Sequence, residues 1–574
     1  MATSLGCWTC RLRRKKCDKR QPICETCSGL RITCHFNPGK PEWMDGGKRQ
    51  EEMLQELKRE VKEKAPWRRV DVLTTDKKWP RAVLATNGLP SPQTESNSQT
   101  SLADASSEAI SGTSDTRQPP LHDVCGTPGR GAPSFGQGDS VLVMFYINHV
   151  FPFEFPLYNP RLADGGSAWV LDMMVHSAVF RHTTLCQGTF FFCLAQGVNP
   201  RSTICETVFL KVKEALGCLA QASEAMNVLT GVGENLRAVV HLMTSMVQVM
   251  RFEIATLTFE NCHAHLNGAL ALFEQMMQIQ GEVGLPTPNA HFRSVMDRLG
   301  PSAWIPPADH IKMRSTEQAA LSFSAGLLLF DDVVASTVLQ RRPRLLDYHE
   351  GLLREGDGDG IPFIDLQAVI GCKAWVITQI GQIAALDEWK QQARSAGRLN
   401  VMELVTRAVP IKESLESRLQ ELEHAQVHSN RLANPILDLL KVKGEPHNSI
   451  HVVTSIWAYA ALAYLSTVVS GCQPGNAEVQ HYVGKVINMI SSDLDSPDII
   501  RAVVWPFCVA GCLAEQQYEP VLRNIVTTLR PQIVFGTARK ALQIMESVWS
   551  NRKLFINADL AACFRSQDEM VLLV

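Results

Sequence analysis

Six cysteines between Cys7 and Cys34 constrain this chain more than anything else in it. They run Cys7-x2-Cys10-x6-Cys17-x6-Cys24-x2-Cys27-x6-Cys34, so the spacing C-x2-C-x6-C occurs twice. A tetrahedral zinc site takes four ligands, and two separate sites would need eight positions where six sulfurs are available. Two ions fit only if two of the sulfurs each bridge both metals. The competing reading of the same count is a disulfide framework. Only Met1 to Gly6 precede Cys7, with no apolar leader among them, which predicts no secretory signal and a reducing compartment, and therefore metal.

The two halves differ in charge. Arg11, Leu12, Arg13, Arg14, Lys15 and Lys16 separate Cys10 from Cys17, whereas the matching stretch between Cys27 and Cys34 holds one cation, Arg31. Five cations in six residues, directly after a C-x2-C knuckle that opens a short helix, predict that one half faces an anion. The chain carries a formal net charge of −2 over 574 residues, yet residues 1–70 hold 17 Lys and Arg against 9 Asp and Glu. That is +8, leaving −10 for the rest, and the basic end suits a polyanion.

Residues 7–34 closely resemble the fungal binuclear zinc cluster (Zn2Cys6) DNA-binding domain of Gal4-type transcription factors. The likeness runs without a gap and extends to Asp18 after the third cysteine and Pro22 in the joining loop. It implies two zinc ions held by Cys7, Cys10, Cys17, Cys24, Cys27 and Cys34, with Cys7 and Cys24 as the bridging sulfurs. It also implies that a short basic helix enters the major groove of double-stranded DNA and reads CGG-type half-sites. The base-contacting pair falls on Arg13 and Arg14, and Arg11, Lys15, Lys16 and Lys19 fall beside them on the DNA face, with Arg11, Lys16 and Lys19 near phosphates. The second of the paired positions is usually Lys in that family and is Arg14 here. Arg and Lys both donate to guanine O6 and N7, but Arg does so as a rigid fork. His35, next to the last cysteine, is read as surface, because the sulfur count is already closed.

Four segments follow from composition: a zinc module over 1–40, a basic linker with a short charged helix over 41–85, a Ser/Thr/Pro-rich tether over 86–139 that cannot bury enough surface to order itself, and an all-α domain over 140–574. In the charged helix, residues 48–64, Leu54, Leu57 and Val61 make a seam that stops at Lys64. Three seam residues fall short of a stable coiled coil, so a solvated helical linker is expected, and homodimerisation is expected only through residues beyond 140. Arg68-Arg69, Lys77-Lys78 and Arg81 continue the basic charge and could serve nuclear import.

From about residue 140, apolar residues recur at three and four, as in 208–219, 236–249 and 266–276, predicting some 15 to 20 helices by typical helix and loop lengths. This stretch resembles the fungal-specific transcription factor regulatory domain through Phe145 to Pro152, Phe330 to Ser336, Ile500 to Phe507 and Gly536 to Trp549. Its aromatic and proline positions read as core packing. The eleven remaining cysteines, Cys125, Cys186, Cys193, Cys205, Cys218, Cys262, Cys372, Cys472, Cys508, Cys512 and Cys563, read as reduced core residues. Residues 355–360 lack EF-hand spacing, Cys262-His263-Ala264-His265 puts its two histidines on diverging helix faces, and Gly231-Val-Gly233 lacks a third glycine and a preceding strand. None predicts catalysis, and no enzyme motif appears. The uncharged run 447–477 is long enough to span a bilayer, but its polar residues and unbasic flanks predict a buried core helix and no membrane.

The expectation is a nuclear, sequence-specific transcription factor acting with the transcription machinery, and by resemblance a regulator of a secondary-metabolite gene cluster. The competing classes are a regulator of primary or nutrient metabolism or of drug response, and a zinc module that binds protein instead of DNA. Five cations in six residues favour DNA.

Overall fold

The computed structural model describes residues 6–19, 24–28, 32–35, 39–41 and 43–63, and from 138 onward all but 161–164, 198–216, 218–234, 257–261, 279–287, 301–313, 354–363, 426–446, 474, 495, 556–557 and 566–570. Pro22, the basic pairs after Lys64, the tether but for its last two residues, the Gly231 loop, the acidic loop 355–360, the helical pattern at 208–219 but for Gly217, and Cys125, Cys205 and Cys218 lie outside the described residues. Two compact units divide the chain, one of residues 1–112 and 193–213, the other of 113–192 and 214–574. Among the described residues every regular element is helical.

The helix Thr316–Leu339 is the spine of the second unit. Apart from Asp331 and Asp332 its central stretch carries no charge and is apolar around most of the helix, the pattern of a helix surrounded by others, and all residues from Gln318 to Val338 are buried. It starts with a capping box, in which Ser315 Oγ accepts from the Gln318 N–H and the Gln318 side chain accepts from the Ser315 N–H at 2.9 Å. It stops at Gln340, which is left-handed at φ 56°, with the Arg341 N–H donating to Ser336 O at 3.2 Å. Helices Ala168–His176, Leu236–Thr256, Cys262–Met277 and Ala374–Ser395 pack around it.

A second buried helix, His447–Ser470, lies among Ala374–Ser395, Val401–Ala425, Ala477–Ser492 and Val504–Leu513. It is the expected core helix: its apolar window is 89% buried, and that of Thr316–Leu339 is 100% buried. Both are long and apolar enough to cross a membrane, and both spend that surface inside the bundle. Trp457 and Trp505 join the two helices, stacked 5° from parallel with centroids 5.3 Å apart. Trp505 Nε1 donates to Thr337 Oγ1 at 2.9 Å and Trp457 Nε1 to Ala502 O at 2.9 Å, so each indole buries its ring without orphaning its N–H.

The stretch Phe145 to Pro152 is core packing, as expected, with an irregular backbone. Pro152 has no N–H to offer the helical ladder, and the chain passes through a π turn, Tyr146–Val150, before Phe151–Glu154. Phe151, Phe155, Tyr158 and Trp169 then surround Phe323 of the spine at centroid distances of 5.0 to 5.8 Å. Trp549 of helix Gly536–Ser550 donates to Gly511 O at 2.8 Å, and a Cβ at Gly511 would sit 2.0 Å from Met545 Sδ. A side chain at Gly511 would have to displace Met545.

Candidate metal centre and nucleic-acid interface

The repeated C-x2-C spacing has a local cause. Cys7 is the N-cap of helix Trp8–Leu12, and the residue three further on is the one whose N–H points back at the cap. Cys7 Sγ accepts that N–H from Cys10 at 3.3 Å, and Cys24 Sγ accepts the Cys27 N–H at 3.4 Å ahead of helix Glu25–Ser28. A third such bond runs from the Cys7 N–H to Cys17 Sγ at 3.4 Å. Peptide donors and a helix N-terminus both favour sulfur in its thiolate form.

The six sulfurs gather into two overlapping sets of four: Cys7, Cys10, Cys17 and Cys24, and Cys7, Cys24, Cys27 and Cys34. Cys7 and Cys24 belong to both. Their sulfurs lie 3.6 Å apart, Cys10 to Cys24 is 3.6 Å and Cys7 to Cys27 is 3.8 Å. A Zn–S bond of about 2.3 Å gives a tetrahedron with edges of about 3.8 Å, so these spacings fit ligands around a common ion. Cys10 and Cys27, one from each set, also approach to 3.8 Å. Burial pushes the Cys7, Cys10 and Cys27 thiols up, Cys10 to about 11. Burial acts on Cys24 in the same direction, but the Cys27 N–H and neighbouring thiols outweigh it and bring Cys24 down to about 7. So many sulfurs packed together can all ionise only with cations among them.

Two residues absent from the sequence reading hold the cluster in shape. Thr9, fully buried between Cys7 and Cys10, donates from Oγ1 to Thr33 O at 2.8 Å and accepts from the His35 N–H at 3.0 Å, clamping the last ligand segment to the first. A Cβ on Gly6 would sit 2.8 Å from Cys17 Cβ. Their signal was proximity to the cysteines, but neither a threonine spacer nor a leading glycine is diagnostic alone. His35 is half-buried rather than plain surface, its ring 5.4 Å from Trp43, and it stands outside both sulfur sets.

The basic stretch departs from expectation in one respect. Helix Trp8–Leu12 ends before Arg13 and Arg14, so neither lies on the helix. Arg13 is the C-cap, and Arg14 is left-handed at φ 54°. The Arg14 N–H donates to Arg11 O at 3.1 Å and the Lys15 N–H to Cys10 O at 2.9 Å, the bond pair of a Schellman turn. Glycine usually occupies that place. The turn presents Arg14, Lys15 and Lys16 to solvent together, with Arg11 and Lys19 also exposed. Arg13 is half-buried, and its Nη1 is buried with no hydrogen-bond partner. Arg11 is held over the Trp8 ring, 4.3 Å from its centroid. Thr26 Oγ1 donates to Lys16 O at 2.9 Å, tying the second half to the basic stretch.

The charged helix spans Lys48–Glu63, and Leu57 on its seam is buried, 2% exposed. The linker is therefore not wholly solvated, and part of the short seam is already covered. In the helical unit, the two histidines of Cys262-His263-Ala264-His265 diverge as expected. His263 faces Asn267, while His265 points inward to Glu253 at 3.4 Å. The eight described cysteines outside the cluster are unpaired by disulfides, and all but Cys193 are buried.

Residues 5–43 match the family model of the fungal Zn(2)-Cys(6) binuclear cluster domain, and residues 141–572 match that of the fungal specific transcription factor domain. The chain belongs to the fungal specific transcription factor family. It is similar to transcription factor dibT of Pestalotiopsis microspora, 31% identical, with 95% of each chain covered. It is also similar to pestheic acid cluster transcriptional regulator 3 of Pestalotiopsis fici, at 26% identity over 96% of this chain and 94% of that one. The trichothecene biosynthesis transcription regulator TRI10 of Trichoderma arundinaceum is 24% identical over 72% of this chain and 91% of its own. No solved structure matches. As a member of this family the protein is a DNA-binding transcription factor and not an enzyme, and its Zn2Cys6 domain takes two zinc ions.

Proposed function

We propose that this protein is a nuclear, pathway-specific regulator of a secondary-metabolite gene cluster that reads CGG-type half-sites through its zinc module. In this reading Cys7, Cys10, Cys17, Cys24, Cys27 and Cys34 hold the two ions, and Cys7 and Cys24 bridge them. The observation that carries the interface is the Schellman turn after Leu12, around which four cations, Arg11, Arg14, Lys15 and Lys16, are all exposed. Arg14 and Arg13 read guanine O6 and N7. A left-handed arginine costs about 1 to 2 kcal/mol against glycine, which is intelligible if the side chain is needed. Arg13 would exchange a buried, unpaired donor for an acceptor on the base. Arg11, Lys16 and Lys19 contact phosphates, with Lys15 beside them on the DNA face. The pathway assignment rests on relatives named for regulating a pestheic acid cluster and trichothecene biosynthesis.

Homodimerisation, where it occurs, uses residues beyond 140, since the seam of Lys48–Glu63 is short and Leu57 is covered. The helical domain gates activity and meets the transcription machinery. Genome-wide occupancy, combined with transcript changes on deletion, tests the reading. Occupied CGG-containing promoters within one biosynthetic cluster, silenced on deletion, are expected. Occupancy confined to primary-metabolic or drug-response genes would replace the pathway assignment, and no occupancy of CGG sites would remove the half-site assignment.

A further inference from the structure

We propose that the helical domain pairs with a second copy of this chain through the outer face of helix Val401–Ala425, the two helices running antiparallel about Val405. This rests on the reading that dimerisation uses residues beyond 140, and it names the surface. Among the described residues eight large apolar side chains stand exposed, and four of them, Val401, Met402, Val405 and Val409, fall within nine residues of this one helix. Single exposed apolar residues are ordinary, but these four are not scattered. Asn400 fixes the start of the helix, its Oδ1 accepting from the Met402 N–H at 2.9 Å and the Glu403 N–H at 3.4 Å. At about 3.6 residues per turn, Leu404, Ala408, Ile411 and Leu415 form the side turned into the domain, and all are buried. Val401, Met402, Val405 and Val409 make a second stripe beside it, 62%, 73%, 37% and 42% exposed, so the apolar face is wider than the domain covers. Further along, the positions in line with that stripe are Lys412, Glu416, Gln420 and Glu423. The uncovered apolar surface therefore ends within about three turns. Helix formation does not ask for it, since valine is a poorer helix former than the Ala, Glu or Lys that suit exposed positions.

Charge decides the occupant. Arg394 and Arg398 are exposed just before the stripe, and Glu413 is exposed beyond it, with Glu416 half-buried one turn on. Lys412, between them, is taken up by Glu478 and Glu416. Glu403 and Arg407 pair at 2.7 Å on another side of the helix, with Arg407 over the Trp389 ring at 4.3 Å, and lie outside the stripe. The face thus has a basic end and an acidic end, and a second copy of it is complementary in one orientation. With a two-fold axis at Val405, Arg398 lies seven residues from the axis on one side and Glu413 eight on the other, so each basic end meets the acidic end of the other copy. A parallel copy would set like charges together, and a partner of a single charge sign would be repelled at one end. The face is small against the about 800 Å² that each partner of a stable dimer buries. A micromolar dissociation constant is expected, enough to hold two chains together once both are on one duplex.

Sedimentation equilibrium of the zinc-loaded full chain, from submicromolar concentration to about 50 µM, tests this, and the chain is expected to pass from monomer to dimer across that range. Val405→Glu, on the axis, should weaken dimerisation about tenfold or more with an unchanged thermal midpoint. Glu413→Arg and Arg398→Glu should each weaken it several-fold. A mixture of those two variants should recover the dimer, because the mixed pair has opposite charges at both ends again. A dimer indifferent to Val405→Glu would overturn this surface alone, whereas a chain that stays monomeric throughout would overturn dimerisation beyond 140 as well. No recovery on mixing would overturn the antiparallel arrangement. A thermal midpoint lowered by Val405→Glu would mean that the chain's own residues cover the face, which also overturns the proposal.

Discussion

The zinc module and the helical domain are held together by opposite means. Among the described residues of the module the buried cluster is four cysteines and Ile32, with Cys17 and Cys34 against it, and Leu12 is the one other buried apolar residue, too little to stabilise some thirty residues by burial alone. Metal and N–H···S bonds replace a hydrocarbon core. The helical domain instead buries two whole helices, Thr316–Leu339 and His447–Ser470, and joins them through a tryptophan pair. The first scheme fixes the identity and spacing of a few residues absolutely. The second fixes only apolar character and volume at many positions, which is why a relative at 24% identity can still match over 72% of this chain.

That contrast breaks most visibly on metal removal. Strong chelation, or Cys17→Ser, should cost the module the roughly 10 to 16 kcal/mol that structural zinc supplies in small domains. DNA binding should vanish while the far-UV helical signal of the full chain stays nearly intact. Collapse of the helical signal along with the zinc would show the two regions to be one cooperative unit. The reverse experiment is Trp505→Ala, which opens a cavity beside Trp457 and takes the indole donor from Thr337 Oγ1, which keeps its own bond to Val334 O. It should cost about 3 to 5 kcal/mol, read as a lowered thermal midpoint of the helical signal, with zinc still at two ions per chain.

Smaller effects sharpen the comparison within the module. Thr9→Val keeps the volume but removes the bonds to Thr33 O and from the His35 N–H, and should cost about 1 kcal/mol, seen as faster zinc loss to a competing chelator. An unchanged release rate would mean that the clamp is dispensable. Arg14→Gly should slow zinc release slightly, by about 1 kcal/mol or less, because glycine accepts φ 54° without strain, while DNA affinity falls. Weaker zinc retention would place the role of Arg14 in the fold instead.

How much was legible beforehand follows the same divide. Cysteine spacing alone gave two ions and two shared sulfurs, and the resemblance named Cys7 and Cys24, the two that the sulfur sets share. The end of the helix at Leu12 was not legible, because Arg13 and Arg14 are good helix formers and no Gly or Pro announces a stop. In the helical domain, periodicity showed that helices exist, and the uncharged run at 447–477 stood out. The more deeply buried Thr316–Leu339 did not, because Asp331 and Asp332 interrupt it. Their compensating partners, Arg251 for Asp331 at 2.6 Å and the Leu345 N–H for Asp332 at 2.8 Å, come from other elements.

Affinity of the full chain for duplexes carrying CGG or single-base variants, measured across salt concentrations, tests the assignment of DNA reading to the turn after Leu12 most directly. Arg14→Ala should lose about 1 to 3 kcal/mol on CGG and flatten the preference at one base. Lys16→Ala or Lys19→Ala should weaken every duplex alike and lower the salt slope by about one unit per contact. If Arg14→Ala weakened all duplexes equally while Lys16→Ala changed the preferred base, the assignment of base reading to Arg14 would be contradicted.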